Sequence, residues 1–250
     1  MTTLADLRIG WGFDRPFPEL AAGIVCAEGL TTGPSDPALT AALQPHLTAP
    51  DPSEATRQSI RQLLRRGGFK PTGRNKPASE YLVEARRRGE WPAILNLVDI
   101  INALSLAYGW PISVLDLDRA LALPGAASTE TPPLEFAEGL AKPGYPPLEM
   151  RWGRPDESYV FNASGHVIDL EGLLAIGRTG GVLAGNPVKD AMHTKLVPGS
   201  TRTVTVFWAS LQAASQADVR AVCATYAELL RLHCGASDTR CDVLTQPIAP

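Results

Sequence analysis

The chain has 250 residues, 20% of them charged and 44% hydrophobic, which excludes a disordered or collagen-like chain and suits one large globular domain or two small ones. No apolar run approaches the ~20 residues that span a bilayer, and Asp6 and Arg8 interrupt the stretch where a secretory leader needs unbroken apolar sequence, so a soluble, cytoplasmic protein is expected. The net charge of −3 hides an uneven distribution: from Arg57 to Arg88 ten cations face only Glu80 and Glu84, a local excess of +8. Such a segment is either a footprint for a polyanion or a pair of solvated helix faces.

Elements follow in order along the chain. Ala21 to Ala27 reads as a buried strand, and Thr31 to Pro50 as loop with a short helix. A helix start is expected at Asp51, with Pro52 in the first helical position and Glu54 completing a capping box. Ile60, Leu63 and Leu64 form its inward stripe, its arginines point outward, and Gly67 and Gly68 end it. Pro71, Gly73 and Pro77 force a loop, which leads into a helix over about Ala78 to Arg88. Another helix is expected from about Ala93 to Tyr108, with Ile94, Leu97, Val98, Ile101, Leu104 and Tyr108 on its apolar face and Asp99, Asn102 and Ser105 on its polar side.

Ile112 to Leu117 reads as a strand, followed by a Pro- and Thr-rich stretch around Leu123 to Pro133. Short strands are then expected at Leu148–Trp152, Ser158–Asn162, Val167–Leu170, Leu173–Ile176 and Thr203–Trp208, with a tight turn at Ala163 to Gly165. An amphipathic helix from Ser215 to Gly235 closes the series. Helices first and strands later, without strict alternation, indicate an α+β fold.

The chemistry-bearing groups are few. The sequence contains no GxSxG elbow, no GxxxxGK[ST] phosphate loop and no HExxH helix. Cys26, Cys223, Cys234 and Cys241 are too sparse for a disulfide scaffold, and His233, Cys234 and Cys241 lack a fourth ligand, so neither metal nor cofactor is expected. Asn162 and Ser164 read as turn residues bonded to their own backbone, and His166 beside them is a candidate general base, although a lone histidine is a weak signal. The segment from Gly185 to Lys195 is a loop by its glycine and proline, yet it holds Asn186, Lys189, Asp190, His193 and Lys195. It is either a binding loop, with lysines for phosphates and Asn186 and Asp190 for hydroxyls or a water, or a solvated turn.

Two stretches carry a family resemblance: Arg74 to Leu82, and Leu97 to Leu106 continued by Gly109 to Asp116. The second reads V-D-x-x-N at Val98, Asp99 and Asn102, then G-x-P-x-x-x-x-D at Gly109, Pro111 and Asp116. Together they resemble the B3/B4 module of the bacterial phenylalanyl-tRNA synthetase β-subunit, and Tyr159 to Asn162 and Asn186 to Lys195 are similar to segments of its free-standing relatives. The resemblance covers roughly residues 55–210 of a single domain, with an N-terminal extension over 1–50 and a C-terminal helix over 215–235. It implies a mixed fold with a central cleft between helices and a mostly antiparallel sheet. It further implies a stand-alone aminoacyl-tRNA editing protein that hydrolyses the ester of a mischarged tRNA in trans.

Carried onto this sequence, the resemblance puts Asn102 at the editing site with Asp99 and Asp116 as framework. Three positions depart from the family pattern: Ile101 replaces a threonine, Ser113 a histidine, and Phe207 the glutamate that receives a tyrosine hydroxyl, so recognition of a phenol is not expected. The expected catalytic groups are Asn102, Lys189 and Asp190. Ser105, Ser113, Asn186, Lys195 and Phe207 are expected to contact substrate, and Arg74 and Lys76 the tRNA. A non-catalytic tRNA- or RNA-binding module, or a small-molecule amino-acid-binding protein using the same pocket, are the alternatives. All three readings require the loop bearing Lys189 to fold over the hollow that holds Asn102.

Overall fold

The computed structural model describes residues 3–5, 7–125 and 147–246; the Pro- and Thr-rich stretch lies outside them beyond Gly125. The elements in chain order are β1 (Ile9–Trp11), β2 (Leu20–Glu28), α1 (Pro37–Leu47), α2 (Glu54–Arg65), α3 (Ala78–Arg88), α4 (Asn96–Tyr108), β3 (Ile112–Asp116) and α5 (Leu117–Ala122). Then come β4 (Leu148–Trp152), β5 (Ser158–Val160), β6 (Val167–Asp169), β7 (Leu174–Arg178), β8 (Leu183–Gly185), β9 (Arg202–Ser210), α6 (Gln216–Cys234) and β10 (Asp238–Thr245). This is an α+β fold. Its described strands form one sheet in the order β10-β2-β9-β3, a second in the order β1-β4-β7-β8, and a β5–β6 hairpin. The ladders are antiparallel except where β1 runs parallel to β4. No described helix is long and apolar enough to cross a membrane.

β2 and β9 lack polar alternation because both their faces are covered, so nearly every residue is buried. Small residues in β2 let α6 approach closely: a Cβ added at Gly23 would sit 2.6 Å from Cys223 Sγ and 2.8 Å from Val219 Cγ1. Phe207, opposite Gly23 in the β2–β9 ladder, points to this same α6 face and packs its ring edge on Tyr226 at 5.5 Å. Successive strand side chains alternate, so Val206 and Trp208 point to the other face, where the Trp208 indole donates to Ser113 Oγ at 3.0 Å.

Two helix starts differ from the sequence expectation. α2 begins at Glu54, capped by Ser53 Oγ accepting from Thr56 N, rather than at Asp51. The Asp51 carboxylate instead receives Arg86 and Arg87 from the end of α3, and Arg86 also donates to Leu47 O and Ala49 O. Two guanidinium partners outweigh a single backbone N–H. α4 begins at Asn96 rather than Ala93, because Asp99 accepts from Ile94 N at 2.9 Å and from Ser35 Oγ at 2.6 Å, holding the preceding residues extended. Ile94, expected to face inward, is exposed as a result.

The basic segment is correspondingly less basic in three dimensions. Arg61 grips Glu80 through two bonds of 2.7 and 2.6 Å, tying α2 to α3. Arg57 pairs with Glu54, Lys76 with Glu84, Arg88 with Glu90, and Arg66 lies 3.9 Å from Glu19. Among the described residues, Arg65, Lys70 and Arg74 are the cations of this segment without a carboxylate partner. The packing of α6 on β2 is open to test. Gly23→Val, although favourable to strand propensity, should lower the unfolding free energy measured in urea by about 1–3 kcal/mol through overpacking; a neutral or stabilising change would contradict the close approach.

Candidate functional site

The loop from Asn186 to Lys195 leaves β8 and returns toward β9, and its shape is set by its own polar side chains. Asn186 Oδ1 accepts from the backbone N–H groups of Val188 and Lys189 at 2.7 and 2.8 Å, closing a tight turn. Its Nδ2 donates to the Tyr159 hydroxyl, which in turn donates to Lys189 O at 2.7 Å. Asp190 closes the base of the turn, accepting from Asn186 N at 3.2 Å and from Val114 N at 3.3 Å on β3. Ser113 Oγ donates to Asn186 O at 3.1 Å, and Lys195 Nζ donates to Phe161 O at 2.7 Å. On the far side, Ala78 N, at the first turn of α3, donates to Pro187 O at 2.9 Å and docks the loop against that helix.

That docking creates a hollow of about 340 Å³ lined by Arg74, Ala78, Tyr81, Leu82, Asn102, Val188 and Lys189. The mid-chain helix and the late loop therefore face one space. Ala78, Tyr81 and Leu82 are contributed by one face of α3, at i, i+3 and i+4. Lys189 Nζ donates to Arg74 O at 2.9 Å and lies 4.3 Å from the centre of the Phe161 ring. Burial, and then the positive charge of Arg74, lower the pKa of its ammonium. Asn102 is partly buried, and its carboxamide forms no hydrogen bond among the described residues, leaving both donor and acceptor free for a ligand. The arrangement is an electropositive mouth, an uncommitted amide and an apolar wall of Ala78, Leu82 and Val188, which suits a small ligand with an anionic group and an apolar part.

Of the expected site residues, Arg74, Asn102 and Lys189 meet in this hollow, while seven others do not line it. Lys76 is held by Glu84 and lies over the Tyr81 ring at 4.5 Å. Ser105 is buried and donates to Trp110 O at 2.6 Å, bracing the turn from α4 into β3. Asp99 and Ser105 lie one turn either side of Asn102 on α4, but Asp99 is taken by Ile94 N and Ser35 and Ser105 by Trp110 O, so only Asn102 of the three lines the hollow. Phe207 lies on the α6 face of its sheet, committed to the core. Ser113, Asn186, Asp190 and Lys195 are the struts of the loop: they position Lys189 rather than contact a ligand in the hollow.

The sequence reading missed the α3 face of Tyr81 and Leu82 and the support given by Tyr159. The i, i+3, i+4 spacing after Ala78 was the available signal for the first. A second hollow of about 230 Å³ between α2 and α3 includes Asp51, Glu54, Arg57, Glu80, Glu84 and Arg87 in its lining. Its charges already neutralise one another, so it offers a ligand little. The sequence matches no protein-family model and no curated protein.

Asp190 gives the loop a pH dependence. Its carboxyl is enclosed although the residue keeps partial exposure, and burial pushes its pKa from 3.8 to about 7 against the opposing help of Ser113, the two backbone N–H donors and Lys195. The native state binds this proton more tightly than the unfolded chain. Its stabilisation is therefore complete below about pH 4 and is lost as pH rises through about 7. Asp190→Asn should remove that component, so urea midpoints from acid to neutral pH fall more steeply in the parent than in the variant; parallel curves would show a carboxyl titrating in water. Ser105→Ala should cost about 1–3 kcal/mol of stability, since the buried Trp110 carbonyl loses its donor, while leaving ligand affinity unchanged. Reduced affinity in a fully folded Ser105→Ala protein would return this residue to the pocket.

Proposed function

We propose that this chain binds the aminoacylated 3′ end of a tRNA in the Arg74–Asn102–Lys189 hollow and hydrolyses the ester of a mischarged amino acid in trans. The observation that carries this reading is the convergence of the mid-helix asparagine and the loop lysine on one space. The resemblance to the B3/B4 editing module supports the substrate class. An aminoacyl ester is already activated, so a site that positions a water and places donors around the developing oxyanion needs no protein nucleophile. The Asn102 amide and the Lys189 ammonium supply donors, and Arg74 at the mouth meets the terminal phosphate. The apolar wall takes the amino-acid side chain. With no carboxylate or imidazole among its lining residues, the hollow offers the hydroxyl of a buried phenol no acceptor of that kind.

A second reading rests on the internal pairing of the basic segment. A protein that binds a free amino acid or a similar small carboxylate needs the same hollow and no cationic track for RNA. The two readings separate in a deacylation panel across mischarged tRNAs. Editing predicts that at least one is hydrolysed, and that Asn102→Ala and Lys189→Ala each slow it by about 10²-fold, as for the loss of an oxyanion donor. If no tRNA is deacylated faster than by Lys189→Ala, hydrolysis is refuted. Binding without hydrolysis selects the non-catalytic RNA-binding module, and thermal stabilisation by free amino acids without a tRNA effect selects the small-molecule reading. Because three cations of the segment lack carboxylate partners, tRNA affinity should fall with salt at a log–log slope of only about −2, at roughly 0.7 per phosphate contact. A much steeper slope would show that the internal ion pairs open onto the RNA.

A further inference from the structure

We propose that two copies of this chain join along β10, in antiparallel register about Cys241, merging their two four-stranded sheets into one continuous sheet. β10 is the end strand of its sheet among the described residues, pairing with β2 on one side over eight residues from Asp238↔Glu28 to Thr245↔Ala21 without a bulge. α6 covers one of its faces, with Arg231 donating to Thr239 Oγ1 and Gln216 to Thr245 Oγ1. The N-terminal segment meets the other face, where Arg240 donates to Leu4 O and Leu7 O at 3.3 and 2.9 Å. Both contacts are made by side chains, and the outer edge of β10 pairs with no strand among the described residues.

The direction of the free backbone groups follows from the ladders. Leu211 N donates to Glu19 O at 2.8 Å, in line with the β2–β9 register. Antiparallel bonding alternates along a strand, so odd-numbered residues of β2 bond β9 and even-numbered ones bond β10. Ile24 and Cys26 face Asp242 and Arg240, which turns the even-numbered backbone groups of β10 inward. The N–H and C=O groups of Thr239, Cys241 and Val243 therefore point to the open edge.

Protein edges are usually blunted by proline, a bulge, a covering element or charged side chains that repel a second strand. Between Asp238 and Thr245 there is no proline, lysine or bulge, and the charged residues are Asp238, Arg240 and Asp242. The charges are instead self-complementary. In a two-fold pairing centred on Cys241, Arg240 of each copy stands opposite Asp242 of the other, at a closely spaced, non-hydrogen-bonded position. Within one chain the two residues already form a 2.7 Å ion pair, so the pairing closes a ring of alternating charges. Thr239 then faces Val243 of the other copy, and the surface meets itself as an isologous contact must.

Sedimentation of the full chain from micromolar to sub-millimolar concentration tests the proposal. The expected result is a doubling of mass in the parent. Arg240→Glu and Asp242→Arg should each be monomeric, because like charges then oppose. An equimolar mixture of the two should regain the doubled mass, since the paired acidic side chains of the first variant then face the paired arginines of the second. Amide exchange of the unmodified protein needs no variant to fold: the Thr239, Cys241 and Val243 amides should slow by at least about tenfold as concentration rises, while those of Arg240 and Asp242 stay protected throughout. A parent that remains monomeric with those three amides freely exchanging, or a dimer that survives Arg240→Glu, overturns the proposal.

Discussion

The site depends on one carboxamide. Asn186 holds two backbone N–H groups with its oxygen and the Tyr159 hydroxyl with its nitrogen, and its own N–H rests on Asp190. Buried polar groups are costly unless fully bonded, and this residue is nearly saturated, so the loop has few ways to rearrange. The consequence is a fixed position for Lys189, next to the first turn of α3 and opposite Asn102. Four polar residues that look like binding groups in the sequence are spent on holding one that can bind.

The same logic governs the cations between Arg57 and Arg88. Most of them join α2 and α3 to each other, to Asp51 or to local glutamates, and a paired guanidinium is a weak recruiter of phosphate. Exposed pairs add little stability, typically below about 1 kcal/mol each, but they lower the field that a distant polyanion would feel. The free positive charge is narrowed to Arg65, Lys70 and Arg74, with Lys189 in the hollow itself. The result is a compact electropositive mouth rather than an extended cationic track.

Much of the fold was legible because it follows hydrophobic period and capping chemistry. The apolar run of β2, the short strands from Leu148 to Ile176, and α6 with its Ser215 cap and Gly235 stop were all readable. Errors arose where a side chain had a better distant partner than a local one. Asp51 caps no helix because two arginines from α3 reach it, and residues near Ile94 leave α4 because Asp99 binds back to them. β10 was missed because its polar residues outnumber its apolar ones and its burial comes from α6 and β2 rather than from its own composition. At the site, residue type alone did not separate Lys189, which faces the hollow, from Lys195, whose ammonium is bonded to Phe161 O; only the path of the loop does so. Ser105 lies one turn from Asn102, but its buried hydroxyl is turned to the Trp110 carbonyl, a partner that helix spacing alone does not show.

The shared hollow is tested most directly by mapping backbone amide shifts while the protein is titrated with a non-hydrolysable amide analogue of 3′-aminoacyl adenosine. One chamber walled by both elements predicts that the Tyr81, Asn102, Val188 and Lys189 amides move together along a single binding curve. Shifts confined to the loop with α4 unmoved, or a response centred on another face of the molecule, would contradict it.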